Sequence, residues 1–253
     1  MPELPDVTLY VERLDARVRG RPLEGLRVKS PFLLRTVEPP PAALEGHRVE
    51  RVFRLGKRIV LSFEDDLHAV IHLMIAGRLR WKKPGAAIPA RNGLAAFDFA
   101  DGSVLFTEAS TKKRAALHLV RGEAGLAAHD RGGLEVLSSS FEAFAAALRE
   151  RNHTLKRALT DPRILSGIGN AYSDEILFAA GLSPFKLTQS ASDEDLGKLH
   201  RHAREVLTRF TEAMRSEIGD GFPDKVTAFR DDMYVHGRYR EPCRVCGTKI
   251  QRV

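Results

Sequence analysis

The stretch Leu159-Thr160-Asp161-Pro162-Arg163-Ile164-Leu165-Ser166-Gly167-Ile168-Gly169-Asn170-Ala171-Tyr172 carries the chain out of one helix and into another. Gly167 and Gly169 suit a tight turn whose amides can face outward. Asn170 opens the next helix, where unpaired N–H groups and the helix dipole favour an anion. The plain structural alternative is a capped helix after a glycine turn. Around this turn, apolar residues recur at helical spacing over 141–150, 155–160, 171–180 and 193–218, which predicts a helical second half.

Upstream the period changes. Short apolar or alternating runs occupy 26–28, 49–52, 59–63, 69–73, 94–99 and 104–106, with Asp65-Asp66 and Asp101-Gly102 as hairpin turns. A helix over 6–19 precedes them, with Val7, Val11, Leu14 and Val18 on one face and Gly20 at its end. This order predicts a β-sandwich with a helix packed at its start. Pro39-Pro40-Pro41 reads as a stiff loop, and the passage after Leu119, with Gly132-Gly133 and Ser138-Ser139-Ser140, as a linker. The fold class is α+β. A sandwich domain over 1–130 leads through a linker over 131–140 to a helical domain over 141–233 and a terminal hairpin over 234–253.

With 253 residues and a net charge of +7, the chain can bury a substantial core, and its basic balance favours a polyanionic partner without identifying one. No apolar run is long enough to span a bilayer, and no signal-peptide core follows Met1. Both cysteines sit near the end, so no disulfide framework holds the body of the chain. The expectation is a soluble, cytoplasmic monomer with no membrane partner, nucleoid-associated if bacterial.

The chemistry is concentrated at the start, in Met1-Pro2-Glu3-Leu4-Pro5-Asp6. Removal of the initiator methionine leaves Pro2 as a terminal secondary amine. An α-amino group has a pKa of about 8, so an appreciable neutral fraction is nucleophilic at physiological pH. Attack on a sugar C1′ expels the base and leaves an iminium, which acidifies the C2′ proton and opens a route to strand cleavage by elimination. Glu3 is the adjacent proton shuttle. Pro5 and Asp6 also suit a helix start with no chemistry attached.

Together, this terminus and the Gly167-Ile168-Gly169-Asn170-Ala171-Tyr172-Ser173-Asp174-Glu175 run resemble the formamidopyrimidine-DNA glycosylase and endonuclease VIII family, bifunctional base-excision repair enzymes. Leu4 is similar to the formamidopyrimidine branch. The resemblance implies catalytic roles for Pro2, Glu3 and Asp6, the last standing where the family usually has glutamate. It also implies that Lys57, in Leu55-Gly56-Lys57-Arg58, contacts the phosphate beside the lesion and supports elimination, with Gly56 allowing close backbone approach. His72-Leu73-Met74-Ile75-Ala76-Gly77-Arg78 is similar to the family's His-Leu-Gly-Met-Ser-Gly, which puts His72 on phosphate and Ile75 at the wedge position, with ordinary core packing as the alternative for Ile75.

In Ser110-Thr111-Lys112-Lys113-Arg114-Ala115, Lys113 aligns with the arginine that pairs with the orphaned base and Arg114 with a wedging phenylalanine. A lysine cannot make the planar bidentate contact of an arginine. The resemblance places Asn170 and Lys156 on phosphates flanking the lesion, 219–232 as a loop closing over the flipped base, and Arg238 among the DNA contacts. His236 stands where the family pattern has tyrosine. The implied partner is damaged double-stranded DNA. The implied reaction is removal of oxidised bases of the 8-oxoguanine and formamidopyrimidine type followed by nicking, with no catalytic cofactor.

Pro242-Cys243-Arg244-Val245-Cys246 looks like the first knuckle of the family's β-hairpin zinc finger. A structural zinc takes four ligands, and Cys243 with Cys246 supplies two. A truncated finger is expected, with zinc present only if the finger is completed. Two other readings stay open. One is a catalytically silent, lesion-sensing DNA-binding protein of the same fold, and the other a metal-dependent endonuclease built on Asp65-Asp66 or Asp231-Asp232.

Overall fold

The computed structural model describes residues 1–224, 226 and 230–252. The chain forms two compact units: Met1–Pro2, Asp6–Asp130 and Met214–Val226 make the first, and Glu3–Pro5, Arg131–Ala213 and Thr227–Val253 the second. The expected linear cut is therefore interleaved, because Leu4 packs in the second core while Val226 packs in the first.

Helix α1 (Leu4–Val18) buries Val7, Tyr10, Leu14 and Val18, the spacing of one helical face, with Val11 partly buried beside them. Next come β1 (Gly25–Val28), β2 (Val49–Leu55), β3 (Arg58–Phe63), β4 (Leu67–His72), β5 (Gly77–Lys82), β6 (Gly93–Phe99), β7 (Gly102–Glu108) and β8 (Ala116–Arg121). They pair antiparallel in two four-stranded sheets, ordered β1-β6-β7-β5 and β2-β3-β4-β8. Alternate residues of each sheet, such as Ile59, Leu61 and Phe63 from one and Phe97, Val104 and Phe106 from the other, share one core.

The sequence reading missed β5 and β8; β5 alternates Arg78, Arg80 and Lys82 with its apolar positions, which dilutes its signal. A short helix, α2 (Gly122–Ala127), lies in the passage expected to be linker. Asp65 and Asp66 do form the hairpin turn, both at positive φ (59° and 55°), as the two central residues of a type I′ turn require. Asp101-Gly102 does not behave the same way. Phe99 pairs with Gly102, so Ala100 and Asp101 make the turn and Gly102 is a strand residue whose Cβ would overlap the Trp81 ring.

The second unit holds α3 (Phe141–Arg149), α4 (Leu155–Thr160), α5 (Asn170–Ala180) and most of α6 (Asp193–Ile218). Two of these helices are capped by the residue before them: Ser140 Oγ accepts from the Ala143 N–H (3.2 Å) and Thr154 Oγ1 from the Arg157 N–H (3.3 Å). At α6, Ser192 and Asp195 satisfy each other's N–H groups at 3.0 and 3.1 Å, a capping box. Phe144, Leu148, Leu159, Tyr172, Ile176, Leu199, Leu207 and Phe210 form the core. No helix among the described residues is long and apolar enough to cross a membrane.

Two glycines separate turn geometry from packing. Gly56 (φ 60°) has nothing within 4 Å of a Cβ, so its positive φ, which the β2–β3 turn requires, is what a substitution must meet. Gly56→Asn should therefore keep stability within about 0.5 kcal/mol, since Asn tolerates the left-handed region, whereas Gly102→Ala should lose about 1–3 kcal/mol by overpacking. Urea unfolding midpoints of the two variants check this.

Candidate functional site

The first turn of α5 shows how the amino terminus is held. Gly169, the residue before the helix, is extended (φ −131°, ψ −157°) and has no side chain to cap it. Glu3 does the capping from the far end of the sequence. Its Oε2 accepts from the N–H groups of Gly169 (2.6 Å) and Tyr172 (3.3 Å), and its Oε1 from that of Ala171 (3.0 Å). The Leu4 N–H donates to the Gly167 carbonyl at 2.9 Å, and Gly167 reaches the required φ of 82°. The expectation of outward amides is thereby corrected, because these donors point at a buried carboxylate instead of at solvent. The helix dipole favours that arrangement. Pro2 is buried and immediately precedes this anchored residue, and Asp6 is buried in the first turn of α1.

Along α5 two more acids act. Glu175, 2% exposed, accepts three consecutive N–H groups, those of Tyr234 (2.8 Å), Val235 (2.9 Å) and His236 (2.9 Å). Asp174 binds the Lys156 ammonium through Oδ1 and meets His236 Nδ1 at 2.7 Å through Oδ2. Burial pushes the Asp174 carboxyl up, but His236 and Lys156 more than offset it and hold it below the ordinary value. Lys156 Nζ also donates to the Asn170 carbonyl at 3.0 Å, so the structure brings these two expected phosphate ligands together, with the Asn170 side chain exposed.

In the first unit, Lys57 is the second residue of the Gly56-Lys57 hairpin turn. His72 ends β4, paired with Arg58 on one side and Ala116 on the other. Ile75 is 59% exposed, so the core alternative for it fails. Its loop is short and braced: Met74 has φ 51°, the Gly77 N–H returns to the Leu73 carbonyl (2.8 Å), and the Arg78 guanidinium binds the carbonyls of Ile75 (3.2 Å), Gly77 (2.6 Å) and Val226 (2.7 Å). The cationic loop is organised by Glu108, which the sequence reading missed. This acid, 1% exposed at the end of β7, accepts from the N–H groups of Arg114 (3.0 Å) and Ala115 (3.2 Å), and its carbonyl accepts from the Lys113 ammonium. No signal in the linear string marked it, because its partners are backbone amides.

Arg238 is held by the carbonyls of Met233 (2.7 Å) and Asp231 (2.7 Å) and by Glu241 (2.8 Å). Beyond it, Pro242 pairs with Lys249, and the Cys243 N–H donates to the Thr248 carbonyl (2.8 Å), forming a small hairpin. Thr248 and Cys243 lower the Cys246 thiol through hydrogen bonds. Cys243 and Cys246 are half of a tetrahedral set, and no group of three or more His, Cys, Asp or Glu with metal-binding placement occurs among the described residues. These residues alone do not fit a structural zinc. Of the acids offered for an endonuclease metal, Asp65 meets His47 (3.2 Å) and Asp232 pairs with Arg230 (2.8 Å), and none belongs to such a group among the described residues. In the loop over 219–232, residues 225 and 227–229 lie outside the described residues.

Comparison with known proteins extends over nearly the whole chain. Residues 1–115 match the formamidopyrimidine-DNA glycosylase N-terminal domain and residues 133–220 the H2TH domain of the same family. A formamidopyrimidine-DNA glycosylase of Heliobacterium modesticaldum is 33% identical over 267 residues, covering 100% of this chain and 94% of its own length. One from Thermus thermophilus is 32% identical over 259 residues, with 100% and 93% covered. The fold matches that of the Lactococcus lactis enzyme, described as non-covalently bound to DNA containing an AP site, with a TM-score of 0.84, 23% identity, and 99% and 94% of the two chains covered. A MutM structure with DNA containing carbocyclic 8-oxo-G gives a TM-score of 0.87 at 24% identity, with 100% and 94% covered.

Glu108→Ala should leave the buried Ala115 amide without an acceptor, at a cost of about 1–3 kcal/mol when fully unsatisfied, and release that of the exposed Arg114. Limited proteolysis should then cut within 109–114 at protease levels that spare the wild type.

Proposed function

The chain belongs to the formamidopyrimidine-DNA glycosylase family, and from that membership we propose that Pro2 is the nucleophile of its base-excision reaction. It is a DNA glycosylase of base-excision repair, with the lyase activity that the family implies. Its substrate is damaged double-stranded DNA carrying oxidised bases of the 8-oxoguanine and formamidopyrimidine type, bound by one copy of the chain.

The Pro2 nitrogen lone pair forms a bond to C1′ as the glycosidic bond breaks, and the base leaves with the electron pair of the broken bond and a proton; the C1′–O4′ bond then opens, O4′ keeping its electron pair and taking a proton, as the nitrogen closes a C1′=N iminium. The resulting iminium acidifies the C2′ proton, whose loss expels the 3′ phosphate and nicks the strand. Glu3 serves as principal proton shuttle, held in place by its three N–H donors, and Asp6 is a secondary carboxylate. Lys57, His72, Lys156, Asn170 and Arg238 take phosphates, Ile75 fills the vacated stack, and Lys113 with Arg114 faces the orphaned base. The observation that carries this reading is the Glu3 anchor, which fixes the residue next to the amine on the Gly-Ile-Gly-Asn turn. Amine, carboxylate and cation suffice for these steps, so the reading calls for no catalytic cofactor. A zinc would be structural, and Cys243 with Cys246 would provide two of its ligands.

Borohydride trapping on a duplex with an oxidised guanine tests the mechanism. A covalent adduct is expected with the native terminus and none with Pro2→Gly carrying one extra residue ahead of it. Equal adducts would reject Pro2, and lesion-dependent binding with no adduct would favour the silent sensor. Glu3→Gln should slow base release by about a hundredfold or more, as loss of a general acid or base does.

A further inference from the structure

We infer that His236 is a positioning residue for phosphate binding, acting through Asp174 on Lys156 and Asn170. The inference rests on the DNA-binding reading above. Glu3 already occupies the amides of Gly169, Ala171 and Tyr172, so a phosphate at the start of α5 depends on the side chains around Asn170 more than on these amides. The Lys156 ammonium is brought there, onto the Asn170 backbone carbonyl, where Asn170 itself is exposed.

A lysine ammonium on its flexible stem is a poor fixed point unless something pins it. Here it is pinned by the Asn170 carbonyl at 3.0 Å and by Asp174 Oδ1, both belonging to α5. Asp174 can offer that oxygen steadily because its other oxygen is engaged by His236 Nδ1 at 2.7 Å. His236 is itself fixed through the backbone, its N–H and those of Tyr234 and Val235 all donating to Glu175, while the Tyr234 ring stacks on Phe178 with centroids 5.6 Å apart. The His236 and Lys156 side chains are each 19% exposed and that of Asp174 is 28%, so the relay is sheltered yet reaches solvent at Asn170.

The test is direct DNA binding, read by fluorescence anisotropy on a duplex with a tetrahydrofuran abasic analogue, for wild type, His236→Ala, His236→Asn, Lys156→Ala and the Lys156→Ala/His236→Ala pair. His236→Ala should bind about tenfold more weakly and lower the magnitude of the salt slope by about one, the signature of one lost phosphate contact. His236→Asn keeps an N–H donor near the place of Nδ1 and should return to within about threefold of wild type. Added to Lys156→Ala, the histidine change should cost nothing further. His236→Phe, which keeps a ring but no donor, should behave like alanine and replaces it if that variant does not fold. Wild-type affinity in His236→Ala or His236→Phe, no rescue by asparagine, or full additivity with Lys156→Ala would each overturn the inference. Because no chemistry is involved, a wild type that binds but gives no trapped adduct rejects Pro2 alone, while one that does not bind overturns both readings.

Discussion

One buried carboxylate, that of Glu3, is aimed at three backbone N–H groups more than 160 residues away in sequence, as the separations of 166, 168 and 169 record. Gly169, Ala171 and Tyr172 are buried, so without that carboxylate the start of α5 would hold orphaned donors, each costing about 1–3 kcal/mol. The contact settles two things. It closes the helix at the heart of the second unit, and it fixes the residue that follows the proposed nucleophile.

The same device recurs. Glu175 gathers the amides of 234–236, and Glu108 gathers those of Arg114 and Ala115. Each is nearly inaccessible, and each holds a backbone segment beside residues proposed to touch DNA: Asn170 after the Glu3 turn, Arg238 after the Glu175 segment, and Lys113 with Arg114 on the Glu108 loop. A carboxylate that accepts several N–H bonds is geometrically demanding, and charge-assisted bonds are stronger than neutral ones. Loops built in this way are pre-organised through their backbone, and on the Glu108 loop Lys113 and Arg114 stay exposed.

Much of the frame was legible because apolar period is a local signal. Helix α6 and the runs around β3 and β6 were readable in this way, and the Asp65-Asp66 turn followed from turn chemistry. Strand β5 was hidden by alternating cations and β8 was not resolved from the passage around it, and Gly102 misled because Asp-Gly usually marks a turn, while here the Trp81 ring needs the space. At the site, residue identities were visible but partners were not. Glu3 read as a proton shuttle and emerged also as a helix cap, and Gly56 emerged as a turn residue with no close neighbour. Nothing in a linear string marks Glu108 or Glu175 as loop anchors, since their partners are backbone amides that any residue supplies.

Amide hydrogen exchange at the start of α5 tests the Glu3 anchor most directly. The wild type should protect Gly169, Ala171 and Tyr172, and Glu3→Ala should strip protection from these three amides while the core of α6 keeps its own. Unchanged exchange in the variant, or wild-type amides exchanging as fast as an open loop, would contradict the account.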